Sequence, residues 1–189
     1  MSSQNIPPKG RMSAAQWTTY QRAQEHLNKG ETEAALRLSS NHGGEPSMCN
    51  LHGVCLMRLG RFEPAVSLYR GLVVDPGAGW ARPGTPTVYK VNFATAQFLA
   101  GRFQAGAELL TEAQDEHHPA VIRLRTCLRR WEKGLNWWQW INWRFGGSHP
   151  EGAQFPFDFL PGVLEGCAVT ELLQSEPKVI PPVPELVNA

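Results

Sequence analysis

Cys49, His52 and Cys55 stand at intervals of three residues, and theirs is the one spacing in this 189-residue chain that resembles a metal site. On a helix these side chains spread over about 120°, and Cys49 and Cys55 lie about 9 Å apart along the axis. Three ligands so placed converge poorly on tetrahedral zinc, so small buried cysteines inside a helix are the expected reading. His117-His118 precedes Pro119 at a helix start, where a surface loop is expected rather than a catalytic base, and Asp115-Glu116 reads as a solvated helix end. No G-x-x-x-x-G-K-[ST] loop, G-x-S-x-G elbow or H-E-x-x-H helix occurs, and Gly77-Ala78-Gly79 lacks a strand–helix context. The expectation is a protein that is not an enzyme, with no catalytic residues, no metal and no cofactor.

The elements carrying these residues repeat. Trp17, Asn50 and Val91 each open a stretch with the same layout. A small residue (Ala23, Gly53, Ala94) stands seven positions before a glycine (Gly30, Gly60, Gly101), and Thr32, Phe62 or Phe103 follows two positions later. The glycine ends a first helix, because it takes the left-handed conformation without a Cβ penalty. The small residue lets a second helix approach, and Phe62 and Phe103 are expected to drop between the two. Phe62, Val66, Tyr69 and Val73 then form an apolar stripe of helical period, with Phe103, Ala107, Leu110 and Gln114 as a weaker counterpart. Between the second and third units, Gly77 to Pro86 reads as a loop insertion. A generic all-α bundle is the alternative.

Over roughly residues 14–115 the pattern resembles the tetratricopeptide repeat (TPR) family. Asn50-Leu51-x-Gly53, Gly60-x-Phe62-x-x-Ala65 and Asp75-Pro76 carry the resemblance best, followed by Asn92-Phe93-Ala94 with Gly101-x-Phe103. The first unit departs from it, with Thr32 where an aromatic is usual, and the spacing between units is uneven. The resemblance implies an all-α fold of antiparallel helix pairs stacked as a short right-handed solenoid, with units at about 14–44, 47–76 and 87–115. It also implies an interaction module (adaptor, scaffold or chaperone) whose first helices line a concave recognition face. Carried across position by position, that face holds Trp17, Tyr20, Gln24 and Leu27, then Asn50, Val54, Met57 and Arg58, then Val91, Thr95, Phe98 and Leu99. The lining is mostly apolar and lacks the lysines that suit a peptide carboxylate, so the implied ligand is an apolar helix or extended segment of another protein.

Beyond the repeats the composition divides. Residues 119–145 hold six basic residues (Arg123, Arg125, Arg129, Arg130, Lys133, Arg144) against Glu132 alone. Residues 146–189 hold Lys178 against six acids. With a near-neutral body and a total of +1, the chain offers no continuous basic groove for nucleic acid. Val121, Leu124, Leu128 and Trp131 form the stripe of a capping helix, and five of the seven tryptophans lie between Trp131 and Trp143. On a following helix Leu135, Trp138, Ile141 and Phe145 share one face, and Trp137, Trp140 and Arg144 a neighbouring one. Burial as a cap, an exposed surface for a partner, and a membrane-surface helix are all open readings of this segment.

The chain thus divides into a flexible segment 1–12, repeats 13–118, basic Trp-rich capping helices 119–145, and an acidic Pro/Gly-rich tail 146–189. In the tail, Phe155-Pro-Phe-Asp-Phe-Leu-Pro-Gly162 looks made to dock, and Val163 to Leu173 could form a short helix. Docking on the chain's own repeats or Trp surface, helped by opposite charge, competes with recognition by another protein. Four scattered cysteines, no apolar run near about 18 residues and no apolar leader point to a cytoplasmic location. Besides the interaction module, the sequence allows a peripheral subunit of a larger assembly, including a membrane-associated one, that makes contact through the Trp segment and tail.

Overall fold

The structure, a computed structural model, describes residues 12–41, 44–113, 115–146 and 155–165. Among these it is all-helical: α1 (Ala14–Asn28), α2 (Thr32–Ser39), α3 (Pro46–Arg58), α4 (Phe62–Val73), α5 (Thr87–Leu99), α6 (Phe103–Thr111), α7 (Pro119–Gly134) and α8 (Trp137–Gly146). The expected segment 1–12, apart from Met12, and the tail beyond Glu165 lie outside the described residues.

Local chemistry sets the helix ends. Ser13 opens α1 with a reciprocal cap: its Oγ accepts from the Gln16 N–H at 3.2 Å, and Gln16 Oε1 accepts from the Ser13 N–H at 2.9 Å. Pro46 and Pro119 occupy the first turns of α3 and α7, where a missing N–H costs nothing. Helices α1, α3 and α5 close by one device. Glu31, Arg61 and Arg102 donate their N–H groups back five residues, to the carbonyls of His26 (2.9 Å), Leu56 (2.9 Å) and Gln97 (2.8 Å). That geometry needs a left-handed residue just before the donor, and Gly60 and Gly101 supply it at φ 74° and 73°.

Close packing follows from the small residues. A Cβ on Gly53 would stand 2.6 Å from the Tyr69 ring, so only glycine lets α4 lie this close to α3. Each helix from α1 to α7 touches the next, and the first helices α1, α3, α5 and α7 also touch one another in turn. α5 sits at the centre and is buried continuously from Tyr89 to Phe98, as befits a helix apolar on almost every side. It joins two cores, one of α1–α5 and one of α5–α8. The Gly77–Pro86 insertion is irregular, tied by a Val74–Ala81 bridge and by Asp75 Oδ1 accepting from the N–H groups of Gly77 and Ala78.

Four expectations change. Phe62 is only half-buried, because Tyr69, Val66 and Ala65 fill the space against α3; Phe103 is buried as expected and stacks on Trp131 at 4.7 Å. In α7 Cys127 joins Val121 and Leu124 as a fully buried position, while Leu128 is half-buried against the same core. Val163 is extended, not the start of a helix, because its backbone pairs with side chains of α3 and α5; the remainder of the expected 163–173 helix lies outside the described residues, apart from Leu164 and Glu165. On α8 neither expected face is the packed one: Trp143 is buried. The end of α7 explains this, since Trp131 meets Trp143 edge-on at 5.0 Å and Glu132 Oε1 accepts from its indole N–H at 3.2 Å.

Candidate functional site

The inward faces of α3, α5 and α7 carry a strip of the chain's own sequence, Phe155–Glu165. Its backbone is held by two buried asparagines. Asn92 Oδ1 accepts from the Val163 N–H at 2.9 Å, and Asn92 Nδ2 donates to the Val163 carbonyl at 2.7 Å, so one amide pairs with both polar groups of one extended residue. Asn50 Nδ2 also donates to that carbonyl, at 3.2 Å. The second proton of Asn92 Nδ2 goes to Asn50 Oδ1 at 2.7 Å, and the Tyr69 hydroxyl donates to Asn50 at 3.1 Å. Asn50, Asn92 and Tyr69 are fully buried, and burial pushes the Tyr69 hydroxyl well above its ordinary pKa, so it stays a donor. A network this deep is favourable only when each member is satisfied.

Next to the asparagines, Arg58 donates through Nε to the Pro161 carbonyl at 3.0 Å. Gly162 crosses α3 at φ 87°, so close that a Cβ would stand 2.7 Å from Val54 and 3.0 Å from Met57. Toward the other end Phe155 stacks on Phe98 at 4.2 Å, with Phe103 and Phe157 completing an aromatic cluster.

α7 contributes the charge. Arg130 pairs with Asp158 Oδ2 at 3.0 Å, Arg123 donates to the Asp158 carbonyl at 3.2 Å, and the Arg123 guanidinium lies 4.5 Å over the Phe159 ring. Burial pushes the Asp158 carboxyl upward, but hydrogen bonds from Arg130 and Cys127 and the charges of Arg130 and Arg123 outweigh it and hold its pKa below the ordinary value.

The expected partner-binding residues fall into three groups. Asn50, Val54, Met57, Arg58 and Phe98 lie against the segment, whereas Val91 packs in the α5–α8 core and Thr95 turns its hydroxyl back onto the Val91 carbonyl at 2.8 Å. On α1, Tyr20 is buried against Trp17 and Gln24 is half-buried. Trp137, Trp140 and Arg144 stand exposed on α8. Asn92, Arg123 and Arg130 were missing from the sequence-derived set. The signal for Asn92 was present: an amide inside the apolar run Val91–Phe98 must find a partner once buried.

The residues that suggested metal or nucleophilic chemistry make local contacts. His52 Nδ1 pairs with Ser39 Oγ at 3.0 Å, and His118 Nδ1 accepts from the Ala120 N–H at the start of α7. Burial pushes the Cys55 thiol up to about 12 and the Cys127 thiol up to about 11, so both are protonated at neutral pH. Among the described residues no three His, Cys, Asp or Glu side chains group as metal ligands, and no helix is long and apolar enough to cross a membrane. No family model, curated protein or solved structure matches the chain.

Proposed function

We propose that this chain is a non-enzymatic TPR-like interaction module, an adaptor or scaffold in the cytoplasm, whose helix pairs stack as a short right-handed solenoid and whose concave face binds an extended apolar segment of another protein. The observation that carries this reading is the Asn50–Asn92 clamp on Val163. It pairs with backbone rather than side chain, which is how an extended peptide is held whatever its sequence, while Phe98, Arg58 and the Arg123–Arg130 pair add selectivity for aromatic and acidic positions. The shared closing device of α1, α3 and α5 and the row of contacts among first helices support the repeat reading. In this chain the segment 155–165 acts as the resident ligand, and a partner competes with it.

A labelled peptide of residues 155–165 tests this. A full-length chain whose own segment is weakened by Asp158→Lys and Gly162→Val should bind the peptide roughly tenfold or more tightly than the unmodified chain, because its face is open a larger fraction of the time. Adding Asn92→Ala should abolish the gain. Equal, negligible binding by every form would refute the reading. A second reading, a peripheral component of a larger assembly, draws on a different observation: the exposed aromatic side of α8.

A further inference from the structure

The ten residues of α8 invert the usual arrangement of a surface helix. Trp143 is its packed side chain, at 8% exposure. On the opposite side Trp137, Ile141, Phe145 and Trp138 fall within an arc of about 100°, with Trp140 and Arg144 next to it. Trp137 is 65% exposed, Trp138 67%, Trp140 41% and Phe145 80%. Four large aromatics open to water on one short helix are costly unless something covers them.

The surroundings are cationic. α8 contains no acid, and in residues 119–146 the single acid, Glu132, is engaged with the Trp143 indole. The solvent side of α7 adds Arg129 and Lys133, both exposed, around a half-exposed Ile122. A second copy docking through the same face would bring two patches of the same net positive charge together. The chain's own described segment, Phe155–Glu165, is already committed to the α3–α5 face and ends beside Tyr89 of α5.

From this we infer that α8 lies on an anionic membrane surface, its Trp137, Trp138, Trp140 and Phe145 side chains entering the headgroup zone while Arg144, Lys133 and Arg129 meet lipid phosphates and carboxylates. Tryptophan suits that zone because its ring is apolar and its N–H is polar. A ten-residue helix is far too short to span, so it rests in the plane of the interface, where aromatic burial and charge act together. This names the partner of the peripheral-component reading and rests on it, and it stands apart from the peptide-binding reading.

The test is flotation of the full chain with vesicles of phosphatidylcholine alone and of phosphatidylcholine and phosphatidylserine in equal amounts. The chain should float with the mixed vesicles, with its Trp emission shifted to shorter wavelength, and rising salt should weaken binding. Replacing Trp137, Trp138 and Phe145 together with Ser, or replacing Lys133 and Arg144 together with Glu, should each lower the bound fraction, by roughly tenfold or more. Trp80→Ser, at an equally exposed tryptophan in the insertion, should leave it unchanged. A chain that stays unbound with both vesicles overturns the proposal, and so does binding indifferent to the α8 variants. Self-association seen by light scattering and lost in the Ser variant would assign the face to a second copy and equally overturn it.

Discussion

The α3–α5 face and the outer side of α8 are both rich in apolar side chains, yet among the described residues only the first is covered. On α3 and α5 the apolar residues stand around Asn50 and Asn92, and those amides pair with the backbone of Val163 while Phe155 fills the space beside Phe98. Among the described residues the α8 aromatics have neither a polar clamp nor a segment above them, and Trp137 and Trp138 are about two-thirds exposed. The difference lies in buried polar groups. An extended strand can settle on an apolar surface only if its N–H and C=O groups find partners there. The α3–α5 face provides such partners, so it suits a peptide. Among the described residues the α8 side provides no buried amide of this kind, which is consistent with the proposed lipid surface, where no backbone pairing is needed.

The largest effects should separate the two regions. Phe98→Ala removes a buried ring stacked on Phe155 and should cost about 3–5 kcal/mol by urea unfolding. Trp138→Ala should stay within about 0.5 kcal/mol, and an equal loss at both positions would mean that the α8 side is covered after all. Asn92→Ala comes next: it leaves the Val163 N–H unpaired and should cost about 1–3 kcal/mol. Its effect should not add to that of Asn50→Ala, since the two amides share one network. Additive losses would break the clamp into independent contacts. Gly162→Ala forces a side chain into left-handed backbone and against Val54, and about 1–2 kcal/mol should be lost, mainly as release of the segment read by proteolysis near Phe155.

The smallest effect concerns pH. The folded pKa of Asp158 is depressed, so its contribution is present above the ordinary carboxylate range and is lost as pH falls through the depressed value. Release of the segment, followed by protease susceptibility, should therefore rise in acid, and Asp158→Asn should flatten that dependence. A profile unchanged by Asp158→Asn would remove the Arg123–Arg130 pair from the account.

The helix pairs were legible because their signals are local. Seven residues from a small side chain to a glycine, then two to an aromatic or threonine, place a first helix, a left-handed turn and a second helix without knowledge of the rest of the chain. The loop at Gly77–Pro86 announced itself in the same way. Half of the site was named in advance too, since the resemblance to TPR repeats, carried across position by position, implies Asn50, Val54, Met57, Arg58 and Phe98. What was not legible depends on partners far away in sequence. The Asn92–Val163 pair spans 71 positions and the Arg130–Asp158 pair 28, and no periodicity encodes either. The same holds for Trp143: a helical wheel puts it between Gln139 and Trp140, opposite Trp137, Ile141 and Phe145, and the end of α7 gives it its buried contact. Phe62 failed for a related reason, since Tyr69, two turns further along the same face of α4, packs against Gly53.

The central claim, that residues 155–165 lie on the α3–α5 face through the asparagine clamp, is tested most directly by native-state hydrogen exchange at the Val163 amide. That N–H is buried and bonded to Asn92 Oδ1, so its exchange should be slowed by orders of magnitude relative to a free peptide of residues 155–165, and Asn92→Ala should return it most of the way. Exchange at the free-peptide rate in the unmodified chain would contradict the account.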